Sequence, residues 1–202
     1  MLGYRARVIN RAAVEILADQ NDVGEGMNRI LLIIIGNLLA LSACAGDIAV
    51  APASPLKVDL NNVVETGVVR PVDGITAAGQ PDETALAVFS NNGYVAVLDL
   101  RTAGEDRGLD EKAVVEGLGM DYVSFPIGRG GISFENAESL DKLIRSYDAP
   151  VLVHCASSNR VGALLALRAS LGGADDAAAM EVGKQGGLTQ LEPEVREVLS
   201  EN

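Results

Sequence analysis

Residues 149–167, APVLVHCASSNRVGALLAL, hold the groups best suited to covalent chemistry. A short apolar run ends in His154 and Cys155, and Arg160 follows after Ala156, Ser157, Ser158 and Asn159. His154 is the one histidine in the chain. A strand ending at His154 and a helix opening at Arg160 would aim the backbone amides of residues 156–161, Val161 included, at one point. Unpaired amides at a helix start, together with the helix dipole, favour an anion and equally favour a thiolate. Arg160 adds a planar fork that fits an oxyanion in a way lysine cannot reproduce. His154 is expected on the other side of the strand, steadying the loop. Ser157, Ser158 and Asn159 are placed to satisfy loop amides or the sulfur. The competing reading is a plain strand–helix corner with an inert buried thiol.

The elements needed to position these groups can be read along the chain. Runs of the buried-strand type occur in GITAAGQP, YVAVLDLR, MDYVSFPI and APVLVHC. Between them lie helical segments: PDETALAVFSNNG with Asp82 near its start and Gly93 at its end, GLDEKAVVEGLG, and SFENAESLDKLIRSYD. In the last, Phe134, Ala137, Leu140, Leu143 and Ile144 share one face. RVGALLALRASLG, ADDAAAMEVGKQG and EPEVREVLSEN complete the helices. Alternation of strands and helices implies an α/β fold, a parallel-dominated sheet flanked by helices, with the cysteine loop between a central strand and a helix. Ligands in such folds sit at the carboxyl ends of strands, where Cys155 falls.

The 202 residues suit one domain with a tail, and 48% apolar content supports a core. A net charge of −12 argues against nucleic-acid binding, so any anion site must be local. One histidine and one spare cysteine make a metal site improbable, and no cofactor is expected. Residues 27–44, MNRILLIIIGNLLALSAC, combine a basic start, an apolar run too short to span a bilayer and small residues before Cys44. An ordinary export signal or a buried helix is the competing reading. The ending Leu41-Ser42-Ala43-Cys44 resembles the lipobox of bacterial lipoproteins. That resemblance implies lipidation of Cys44 and an envelope protein facing the periplasm. Ala45 in the next position, rather than aspartate, mildly favours the outer membrane. Residues 1–26 then read as a gene-model extension before Met27, 27–43 as the signal, 44–61 as a tether and 62–202 as the domain.

VLVHCASSNRVGA resembles the phosphate-binding loop of cysteine-dependent phosphatases of the tyrosine and dual-specificity kind. More closely, it resembles a bacterial branch of phosphatase-like domains, some fused to beta-lactamase-like hydrolases. The likeness extends through GITAAGQP, VAVLDLRTAGED and GLTQLEPEVREVL, over roughly residues 62–200. It implies a hydrolase of phosphate monoesters in which Cys155 and Arg160 are catalytic and residues 156–161 bind phosphate. Its substrate would be a phosphorylated protein or a small phosphate ester. The chain departs from the pattern in four ways. Four residues, not five, separate Cys155 from Arg160, a length that resembles the persulfide loop of rhodanese sulfurtransferases. Ser158 stands where glycine would ease a left-handed turn, and Val161 where Ser or Thr assists breakdown of the phosphocysteine. The loop GRGGISF holds no carboxylate before Glu135 to act as general acid; Asp99, Glu105 and Asp121 are candidates if the fold brings them round. Asp99 and Arg101 suit a strand-end cap, and Arg129 a solvated charge or a substrate contact. A Cys155 persulfide carrier and a non-catalytic anion- or partner-binding envelope lipoprotein are the alternatives.

Overall fold

The computed structural model describes residues 55–201. Four short strands, β1 (Ile75–Ala78), β2 (Ala96–Asp99), β3 (Asp121–Ser124) and β4 (Val151–His154), form one sheet in the order β1-β4-β2-β3. All pairings are parallel, with Ala78 and Asp99 both level with His154 at the carboxyl ends. The central strands are buried on both sides, as expected of apolar runs in a sheet covered by helices. β3 lies at an edge, and its first and last residues, Asp121 and Ser124, are exposed.

Two cores result from the two-residue period of the strands. On one side Ala96, Leu98, Val151 and Val153 meet α4 (Phe134–Arg145), α5 (Asn159–Leu171), α6 (Asp176–Gln185) and α7 (Glu192–Ser200). On the other, Val97 and Leu152 meet α1 (Leu60–Thr66), α2 (Glu83–Asn91) and α3 (Glu111–Gly117). Every residue from Val161 to Leu167 is buried, so α5 is the central helix. Each fully buried leucine there contributes about 1.5–3 kcal/mol. Asp82, Asp110, Ser133 and Asp175 cap the helices that follow them through side-chain oxygens. Ala137, Leu140 and Ile144 form the buried face of α4, as their spacing predicts.

Helix α1 has no counterpart in the sequence reading, which places a tether through residue 61. Asp59 caps it, and Lys57 before it bridges to Ala77 beside β1. Its one buried residue, Val63, gives too faint a periodic signal to find it. The signal-like segment and Cys44 lie outside the described residues. Among the described residues, no helix is long and apolar enough to cross a membrane.

Candidate functional site

The sheet period decides which way each site residue faces. Leu152 belongs to the core under α2 and α3, so His154 points to that side, and Cys155 joins the opposite core beside α5. Cys155 is free and 1% exposed, and its amide donates to Ala78 O at 3.4 Å. Ala156 and Ser157 are exposed, whereas Ser158 is buried. The first backbone hydrogen bond of the new helix runs from Gly162 N to Ser158 O at 2.9 Å. Ser157 pairs with Gly79 in an isolated antiparallel bridge, which engages one loop amide; the other amides of residues 156–161 donate to no backbone group among the described residues. Free amides at a helix start are groups of the kind that can hold an anion.

Ser158 takes the left-handed conformation expected from its position, with φ of 70°. Its hydroxyl donates to Gly186 O at 2.7 Å, and Asn159 Oδ1 accepts from Thr189 N at 2.8 Å and Leu191 N at 3.4 Å. Both side chains therefore anchor the loop to the segment after α6 and do not reach toward the sulfur. Val161 is fully buried, and only its amide can serve a ligand. On the loop's outer side, Gln80 N donates to Ala156 O at 3.3 Å. Gly79 permits this approach, since a Cβ there would lie 3.2 Å from the Ala156 carbonyl oxygen.

Arg160 is held by four contacts. Its Nη1 and Nη2 donate to Glu105 Oε1 and Oε2 at 2.7 and 2.6 Å, and Nη1 also donates to Ile127 O at 3.1 Å and Leu100 O at 3.3 Å. These use the Nη1/Nη2 edge of the guanidinium and leave Nε without a partner among the described residues. The bond to Glu105 and the neighbouring Cys155 sulfur both strengthen the hold of Arg160 on its proton. In return Arg160 pulls the Glu105 carboxyl down to about 2. Arg160 is thus oriented through its Nη atoms and lies beside the Cys155 sulfur.

Of the candidate acids, Glu105 is the one brought to the loop, and it arrives as a carboxylate committed to Arg160. Asp121 opens β3 at the far end of the sheet, beside Tyr147. Asp99 caps the strand end as expected: its Oδ1 accepts from Arg101 N at 2.8 Å, and its Oδ2 from Tyr122 at 2.8 Å and Arg107 Nε at 2.6 Å. Burial first, then the Asp99 bond, pushes the Tyr122 phenol up to about 12, so it remains a donor. Arg129 is exposed, and so is Glu135, in the first turn of α4.

Sequence reasoning missed Gln80, Arg107 and Glu111. Glu111 is 1% exposed, with its Oε1 3.0 Å from His154 Nε2. That is ion-pair distance, but the ring nitrogen is not aimed along a hydrogen bond, and Nδ1 has no partner among the described residues. Asp99, Glu111 and His154 offer three ligand atoms within 4.8 Å, a donor set of the kind zinc accepts. The guanidinium of Arg107, 2.6 Å from Asp99 Oδ2 and 3.6 Å from Glu111 Oε2, already supplies positive charge to the two carboxylates. The residues present thus fit a cation poorly. The only signal for Glu111 in sequence was an acidic residue in the first turn of a helix, where it reads as a dipole contact.

Residues 68–172 match the family described as the phosphatase-like domain of beta-lactamase hydrolase-like proteins. The chain belongs to this family. The phosphatase-like domain is 28% identical over 109 residues to the beta-lactamase hydrolase-like protein of Agrobacterium fabrum, a match over 52% of this chain and 25% of that protein. The corresponding protein of Xylella fastidiosa is 30% identical over 97 residues, 46% of this chain and 22% of the relative. The match therefore spans about a quarter of the length of these relatives. In fold, the phosphatase-like domain resembles the crystal structure of a candidate phosphatase from Neisseria meningitidis, with a TM-score of 0.53 at 19% identity. That likeness covers 61% of this chain and 90% of the other. The α/β fold expected from the sequence, cysteine-phosphatase-like with the Cys loop after a central strand, is the fold observed.

Proposed function

We propose that this domain is a cysteine-dependent hydrolase of phosphate monoesters. The carrying observation is that Arg160, braced by Glu105, lies against the Cys155 sulfur at a helix start whose amides are mostly unpaired. In this reading the Cys155 thiolate attacks phosphorus, forming the S–P bond as the P–O bond to the leaving group breaks. The departing oxygen takes the electron pair and then a proton from water. The loop amides and Arg160 hold the three phosphoryl oxygens as charge develops on them. Water then cleaves the S–P bond, releasing phosphate and restoring the thiol. No metal or organic cofactor enters these steps.

The leaving group is the restrictive part. A positioned acid contributes about 10²–10⁴ in rate, and Glu105, with its carboxyl near 2 beside Arg160, is not a proton donor at neutral pH. This supports substrates with an acidic leaving group, such as activated aryl phosphates, over alkyl phosphates, with phosphotyrosine, whose phenol has a pKa of about 10, in between. The test is single-turnover labelling with a series of substituted phenyl phosphates. Phosphoryl-cysteine should form on wild type and not on Cys155→Ser, with a rate falling steeply as the leaving phenol becomes more basic. A persulfide formed from thiosulfate in place of phosphoryl-cysteine would favour the sulfurtransferase reading, which the four-residue spacing supports. Neither adduct would leave an anion- or partner-binding domain.

Export and lipidation belong to the same proposal. The run MNRILLIIIGNLLALSAC supports lipid attachment at Cys44 and an envelope location facing the periplasm. Labelled palmitate incorporated by the wild-type chain and absent from Cys44→Ser would bear this out; equal labelling of both would sink it.

A further inference from the structure

The two ends of the cysteine loop are joined by a second path that runs outside the loop. From His154 Nε2 it passes to Glu111 Oε1 at 3.0 Å, and Gln80 Nε2 donates to that same oxygen at 3.3 Å. Arg101 Nη1 donates to Gln80 Oε1, and Arg101 Nε lies 3.4 Å from Glu105 Oε2. Glu105 closes the path on Arg160 with two hydrogen bonds. His154, Arg101 and Glu111 are each 5% exposed or less, although the His154 Nε2 and Arg101 Nε contacts lie at ion-pair distance and not along hydrogen bonds. Gln80 is the midpoint, and its main chain holds the middle of the loop through Ala156 O.

We propose that Gln80 is a positioning residue that couples the His154 end of the loop to Arg160, so that nucleophile and oxyanion fork are set as one unit. This inference rests on the phosphatase reading. Gln80 suits the role because its amide is both donor and acceptor: the NH₂ meets the Glu111 carboxylate and the C=O meets the Arg101 guanidinium. No charged side chain can serve both neighbours. Arg101 itself has its Nη2 on Asp106 O, so with Gln80 removed it can rotate away from Glu105. Glu105 then loses one of its two guanidinium contacts, and Arg160 its fixed orientation.

The test is a double-mutant cycle on the full domain with Gln80→Ala and Glu105→Gln, reading kcat and KM for an aryl phosphate, vanadate affinity and thermal melting. Gln80→Ala should lower kcat about ten-fold, with KM changed less than three-fold and melting within a few degrees of wild type. In the Glu105→Gln background the same change should have little further effect, because the path is already cut. Gln80→Glu keeps the acceptor for Arg101 but sets a carboxylate against Glu111, and should fail like alanine. Full additivity of the two variants, or wild-type kcat in Gln80→Ala, would overturn the coupling. So would one equivalent of zinc retained by the wild type and lost in Glu111→Gln, since a metal would then hold His154. A wild type that neither turns over nor binds vanadate sinks the phosphatase reading and this inference with it. An active wild type with additive variants removes only this inference.

Discussion

Arginine can offer two bidentate edges, and in this site the structure holds one of them. Glu105 and the carbonyls of Leu100 and Ile127 hold the Nη atoms, so the guanidinium is fixed beside the Cys155 sulfur. A guanidinium held this way loses little further freedom when an oxyanion arrives. In the phosphatase reading, Glu105 is thereby a brace and not a competitor for the anion. Glu105→Gln retains the shape but exchanges two charge-assisted bonds for weaker ones, and one oxygen for an N–H that faces the guanidinium. Vanadate affinity measured by titration calorimetry should fall roughly ten-fold, in line with the ~1.5–3 kcal/mol of hydrogen bonds to charged groups. Tighter vanadate binding by the variant would show instead that Glu105 blocks the site.

At the scale of elements, the loop is only as well placed as α5, and α5 is seated by glycines. A Cβ at Gly162 would lie 2.2 Å from Leu188 N and 2.5 Å from Gly183 O, both backbone atoms that cannot step aside. Gly162→Ala should therefore separate α5 from α6, costing roughly 3 kcal/mol. That corresponds to a drop in Tm on the order of 10 °C by calorimetry. Ser158→Gly acts oppositely: relief of the left-handed conformation, about 1 kcal/mol, offsets loss of the bond to Gly186 O of similar size. Its Tm should stay within a few degrees of wild type. The loop and strands were legible in the sequence because each follows from neighbours along the chain, and the left-handed Ser158 because the loop resembles one that places glycine there. The pairing of Glu105 with Arg160, and the places of Glu111 and Gln80, were not. Gln80 is 31 residues from Glu111, and Arg160 is 55 from Glu105, so these partners meet only once the segments after β1 and β2 fold over the strand ends. An acidic residue early in a helix looks the same whether it caps the dipole or steadies a buried histidine.

For the whole molecule, α5 is pinned to its surroundings by two guanidinium–carboxylate pairs, Arg160 with Glu105 near its start and Arg168 with Asp141 of α4 near its end. Both carboxyls are depressed. Glu105 falls from 4.5 to about 2, chiefly through its bond to Arg160. Burial works against ionisation of Asp141, but Arg145 and Arg168 outweigh it and hold its carboxyl below 3.8. A carboxyl depressed by folding binds fewer protons in the native than in the unfolded chain, so stability rises with pH through that interval. The contribution of Glu105 is complete above about 4.5 and is lost as pH falls toward 2. Urea unfolding between pH 2.5 and 7 should show a stability plateau near neutrality and a decline beginning near pH 4.5. Glu105→Gln should be less stable on the plateau yet lose less on acidification, its slope below pH 4.5 flatter by close to one proton. Because both pairs are partly open to solvent, salt should narrow the gap between the two proteins. Parallel slopes in wild type and variant would mean that Arg160 does not hold Glu105 in solution, and that the brace on Arg160 is weaker than its geometry implies.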